Sequence, residues 1–167
     1  KLKVDSDEAI KIATAEPLLK ALTIKATKLI LQQGDEGVVW KVTLWAAKLK
    51  KPAANVDIGD VFIACDTGKV VRSDLKINNI AVLAQLRGDA RTAEEFFRRA
   101  IEIEKKRPHP DGLMIAMMTG NVADLRMATG DLRAAGELEE RALAGVREAA
   151  PSDRTYLGIH LNGYGPD

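Results

Sequence analysis

"NNIAVLAQLRGDARTAEEFFRRA" at residues 78–100 is echoed by "GNVADLRMATGDLRAAGELEERA" at residues 120–142. Asn79 recurs as Asn121, an offset of 42 residues, and at the same offset Ala81 matches Ala123 and Leu83 matches Leu125. Gly88-Asp89 returns as Gly130-Asp131, and Arg91, Ala93, Glu95, Arg99 and Ala100 return as Arg133, Ala135, Glu137, Arg141 and Ala142. Self-similarity at such a period is the signature of a stacked repeat. The Gly-Asp break in each copy suits a left-handed residue closing one helix and a capping residue opening the next. Small residues at Ala93 and Ala100 let paired helices approach, with Phe96 and Ile101 expected to fill the space beside them. A helix hairpin cannot bury its apolar stripe alone, so a second copy beside it supplies the missing surface.

Outward from that repeat toward the N-terminus the period changes. "VDSDEAIKIATAEPLLKAL" opens with a capping signature, Asp5 with Glu8 three residues on, flanked by Val4 and Ala9 at staple positions. Pro17 is expected to disturb the last turn, because it lacks an amide proton and clashes with the turn before it. "TIKATKLILQQGDEGVVWKVTLWAAKL" alternates on both sides of a polar break, which predicts a hairpin with Trp40, Val42 and Leu44 on one face. "KKPAANVDIGD" has the composition of a loop. "VFIACDTGKVVRSDLKI" predicts a second hairpin turning at Asp66-Thr67-Gly68.

The expected fold class is therefore α+β: an N-terminal helix on a small antiparallel sheet over residues 1–77, then an all-α helix-hairpin repeat over 78–167. Within the second part the repeats are expected at 78–110 and 111–152, with the start of a third at 153–167. The last strand is expected to run into the first repeat helix near Ile77 and Asn78 without a linker.

Bulk properties narrow the function. Lys+Arg 25 against Asp+Glu 24 leaves net +1 in 167 residues, which offers no general attraction for nucleic acid or anionic lipid. No apolar run approaches the roughly 20 residues of a membrane span. The single cysteine, Cys65, excludes an internal disulfide. It falls at an alternating position where a thiol is core, and neither His109 nor His160 is near it in sequence. Two isolated histidines make no metal motif, "DSDE" reads as a helix start, and "TGK" lacks the rest of a phosphate loop. Arg98, Arg99, Lys105, Lys106 and Arg107 are interleaved with Glu94, Glu95, Glu102 and Glu104, a solvated ion-paired face. No catalytic residue, metal or cofactor is expected.

The second part resembles the tetratricopeptide repeat family, in the long-repeat form of kinesin-light-chain-like proteins. The resemblance rests on Asn78-Asn79-Ile80-Ala81, Gly88, Ala93, Phe96, Ala100 and Ile101, then on Asn121-Val122-Ala123, Gly130, Ala135, Leu138, Ala142 and Leu143. HEAT and armadillo repeats share the period, but the spacing from Gly to Ala favours the tetratricopeptide pattern. Gly120 replaces the first Asn in the second copy, and "YLGIHLNGYGPD" resembles only the opening of a third. Residues 4–77 resemble the PepSY family, through "DSDEAIKIA", "VVWKVTLWA" and "IGDVFIACDTGKVVRSDL". Members of that family are mostly extracytoplasmic or membrane-associated, and some are propeptide-like inhibitory segments of peptidases. The resemblance implies binding rather than catalysis.

By the repeat pattern, the first helix of each pair lines a groove. That implies Asn78, Asn79, Val82 and Gln85 in the first copy and Asn121, Asp124 and Met127 in the second. Asn offers donors and acceptors suited to an extended peptide backbone, while Asn79 and Asn121 are equally suited to bonding neighbouring backbone. The expected partner is a protein or extended peptide. Two rival readings are regulation of a peptidase by the first part, through sheet-edge pairing, and a structural spacer that self-associates through the open repeat end.

Overall fold

The computed structural model describes residues 3–20, 22–35, 37–48 and 51–150. It is α+β, with two compact units, one running through Arg87 and the other from Gly88. The boundary falls one helix later than the change of period at residues 77–78. The expected third repeat and His160 lie outside the described residues.

Helix α1 spans Ser6–Thr14. Asp5 caps it, its Oδ1 accepting from the Glu8 amide at 2.9 Å. The Glu8 side chain turns instead toward Lys11, 3.7 Å away. Ala9 and Ala13 are fully buried where α1 meets the sheet, and Pro17 opens a short 3-10 turn, Pro17–Leu19, that buries Leu19.

The sheet is a four-stranded antiparallel meander of β1 (Ile24–Gly34), β2 (Gly37–Lys48), β3 (Lys51–Ala64) and β4 (Val70–Leu75), in that spatial order. Register places Val42 opposite Val61 and Trp40 opposite Ile63. Val42, Leu44, Val61 and Ile63 are buried, and the Trp40 indole donates to the Val4 carbonyl at 3.0 Å, tying the approach to α1 onto this face. The opposite face mixes polar groups with Val39 and Phe62. There Thr43 donates to Asp60 at 2.6 Å, and Lys41 lies 3.2 Å from the same carboxylate. Phe62 is only 5% exposed on that side because the Arg72 guanidinium lies 3.9 Å from its ring centroid, with the Lys41 ammonium at 5.9 Å.

One expectation is overturned. "KKPAANVDIGD" is not a loop, since residues 51–60 belong to β3. Its backbone pairs with β2, Asn55 opposite Ala47 and Asp57 opposite Trp45. The register slips at Ile58, and Gly59 takes φ +108° there. The glycine that signals a break in composition is a bulge in the sheet, the other place where such a φ is needed. The Asp66-Thr67-Gly68 turn forms as expected, with Gly68 at φ +72°.

Helix α2 (Ile77–Leu86) follows β4 after the single residue Lys76 and packs on β3. Asp57 organises the junction. Its Oδ1 accepts from the Gly59 amide at 2.9 Å, its Oδ2 pairs with Lys76, and its carbonyl accepts from Asn79 Nδ2 at 2.8 Å.

The second unit holds α3 (Ala90–Lys105), α4 (Gly112–Ala128) and α5 (Leu132–Ala149). Each helix is capped by an aspartate: Asp89 accepts from Thr92 N, Asp111 from Met114 N and Asp131 from Ala134 N. Gly88 and Gly130 carry φ +81° and +84°, the left-handed stops expected from the repeat. Helices α4 and α5 run antiparallel along a seam of small residues. A Cβ built on Gly145 would lie 3.0 Å from Ala116 Cβ, and one on Gly112 would lie 3.3 Å from Ala149 Cβ.

The expected space-filler Phe96 is only half-buried, and Phe97 is the enclosed ring. Ala93, Phe97, Ala100 and Glu104 make the buried stripe of α3, a spacing of four, three and four that keeps one face inward. Glu104 is buried because its Oε1 accepts from the Asp111 amide at 3.1 Å and its Oε2 pairs with Arg107 at 3.0 Å, which closes the α3–α4 connection.

Candidate docking surface

Helix α4 is central in its unit, packing on α3 and on α5. Apolar residues therefore occur around most of its circumference, with Ala116, Met118, Val122, Ala123 and Leu125 buried. One strip is left outward. Met114, Met117, Asn121, Asp124 and Met127 follow one another at steps of three or four, close to helical spacing. Met117 is 46% exposed, Met114 and Met127 are also exposed, Asp124 is exposed and Asn121 half-buried. Unbranched thioethers on a helix face form an adaptable apolar surface, and a neighbouring amide and carboxylate supply directional contacts.

Three of the residues expected to line a groove, Asn121, Asp124 and Met127, are therefore on this strip. Met114 and Met117 were missed, because they lie in the expected second repeat, 111–152, but before Gly120, where the stretch that echoes the first copy begins. The signal was present in "GLMIAMMTG", where methionines sit three apart.

The other four belong to α2 in the first unit. Asn78, Val82 and Gln85 share one face, Val82 being exposed and the two amides half-buried. Asn79 does not share it, since its side chain is committed to the Asp57 carbonyl of β3. The residues drawn from the two sequence copies thus lie on helices of different compact units.

The first unit has its own concavity. An open groove of about 1070 Å³ lies between the β1–β2 hairpin tip and the β3–β4 turn, with Gln32, Asp35, Phe62, Cys65, Lys69 and Arg72 in its walls. Cys65 is 3% exposed, and its backbone joins the chain entry to the sheet, accepting from the Val4 amide at 3.1 Å. Burial pushes its thiol up, a bond from the Trp40 backbone works against that, and Asp66 adds to it. A thiol held protonated is a poor nucleophile.

Electrostatics are local. Burial opposes the charge of Asp57, but bonds from Lys76 and the Gly59 amide outweigh it and hold the carboxyl below its usual range. Among the described residues, no three His, Cys, Asp or Glu are grouped to hold a metal, and no helix is long and apolar enough to cross a membrane. No family model matches the chain, and neither a curated protein nor a solved structure was found to be similar to it.

Proposed function

We propose that the protein is a non-catalytic binding module whose docking surface is the outward strip of α4. In this reading α4 and α5 form a tetratricopeptide-like hairpin, and the first unit is a PepSY-like accessory domain. The partner is a protein segment or extended peptide carrying an apolar anchor. The observation that carries the reading is the exposure of Met114, Met117 and Met127 beside Asn121 and Asp124 on one helix. Thioethers accept varied apolar shapes, while Asn121 and Asp124 fix the register of a bound backbone. The 42-residue sequence repeat supports the helical-repeat part of the reading.

The test is selection of binders from a random peptide display library on the immobilised protein. Selected peptides should share an apolar anchor, and Met117→Glu should weaken them at least about tenfold, the loss of about 1.4 kcal/mol. Asn79→Ala should retain them while lowering the melting temperature, because Asn79 bonds to β3 rather than facing a partner. Peptides that bind Met117→Glu as well as the wild type would overturn the α4 surface.

A further inference from the structure

We propose that β1 is a pairing edge for a second copy of this chain, added antiparallel about a twofold axis at Ile30. The two edges of the sheet differ. β4 has six residues, an irregular register opposite Phe62 and Ile63, and an Arg72–Asp74 ion pair at 3.0 Å, all devices that discourage strand addition. β1 has eleven residues, and from Ala26 to Gly34 its register with β2 is unbroken. Among the described residues no strand pairs with its other edge, which is therefore a continuous row of backbone donors and acceptors. Ile30 and Leu31 are 40% and 44% exposed on it.

The sequence of β1 specifies what fits there. A twofold axis perpendicular to the sheet pairs residues that face the same side, so its centre falls on a residue. Centred on Ile30, that residue meets its own counterpart, Leu29 meets Leu31, Lys28 meets Gln32 and Thr27 meets Gln33. Aliphatic side chains then lie against aliphatic ones, and each Lys28 ammonium lies against a neutral amide. Neighbouring centres fail. A centre at Lys28 opposes two ammonium groups, one at Leu29 sets Lys28 against Ile30, and one at Leu31 sets Ile30 against Gln32. The β1 sequence complements itself in one register, which is the pattern an isologous contact requires. The product is an eight-stranded sheet with α1 of both copies on the same side. This interface lies in the first unit, so it stands or falls separately from the α4 reading.

Sedimentation of the full chain across a concentration range should show a monomer–dimer equilibrium, with amide exchange along β1 slowing as concentration rises. Ile30→Lys, which places two ammonium groups at the axis, should leave only monomer while retaining the wild-type circular dichroism. As a check independent of that variant's folding, Ile30→Cys in a Cys65→Ser background should form an intermolecular disulfide on mild oxidation, and Thr27→Cys in the same background should not. A wild type that stays monomeric at its highest soluble concentration overturns the proposal. So does a dimer unaffected by Ile30→Lys, or exchange in β1 that is independent of concentration.

Discussion

Arg126, in the last turn of α4, donates from Nε to Glu94 Oε1 of α3 at 3.1 Å, and Arg98 of α3 donates to the same oxygen at 2.9 Å. Arg126 also reaches Asp131, the cap of α5, at 3.3 Å. One guanidinium thus links all three helices of the second unit. Burial opposes the Glu94 charge, but the bonds from Arg126 and Arg98 outweigh it and lower its pKa.

The sign of the pH dependence follows. A carboxylate with a depressed native pKa contributes stability that is present above its unfolded pKa and lost as pH falls through the native one. Glu94→Gln should lower the melting temperature at neutral pH, and its gap to the wild type should close as the solution is acidified. Thermal melts of both proteins from neutral into acid solution measure this. A gap that stays constant would show that Glu94 acts through packing instead of charge.

Phe97 and Phe96 are adjacent in sequence and unlike in environment. Phe97 is fully enclosed, so Phe97→Ala should cost about 3–5 kcal/mol. Phe96 is half-buried, so Phe96→Ala should cost only about 1 kcal/mol. Denaturant titration of the two variants ranks them. The reverse order would place the core of α3 on its other face.

Gly59 and Gly88 both have positive φ, but only Gly59 is crowded. A Cβ on Gly59 would lie 2.3 Å from the Asp74 carbonyl oxygen and 2.8 Å from Leu75 Cα, whereas one on Gly88 would have nothing within 4 Å. Gly59→Ala should therefore cost on the order of 3 kcal/mol or more, through strain and collision with β4 together. Gly88→Ala should cost about 1–2 kcal/mol, the backbone term alone. Chemical denaturation of the two variants separates the contributions, and equal costs would mean that the bulge relaxes away from β4.

Much of the local structure was legible in residue types. Asp5 with Glu8, Gly88 with Asp89 and Gly130 with Asp131 announce helix ends because capping is short-range chemistry between residues a few positions apart. The alternation around Trp40, Val42 and Leu44 announces a strand for the same reason, since side-chain direction follows from backbone period alone. "KKPAANVDIGD" misled because Pro, Asn and Gly have no fixed meaning without a pairing partner. β2 supplies that partner, and one glycine becomes a bulge. Phe96 misled because neighbouring rings point about 100° apart on a helix, and which of them faces inward is set by how α3 is turned against α4. The place of Asn79 was open in the same way, as one side chain suits a peptide or a neighbouring strand.

By itself the sequence determined the α+β class, the order of elements, most helix ends and the internal repeat, all set by local backbone preference and apolar period. Tertiary structure decided the rest: that α2 joins the sheet's unit, that Asn79 bonds to β3, and that Met114 and Met117 extend the outward strip of α4. These depend on which surfaces meet across long stretches of chain, and a residue's burial is a property of its neighbours in space.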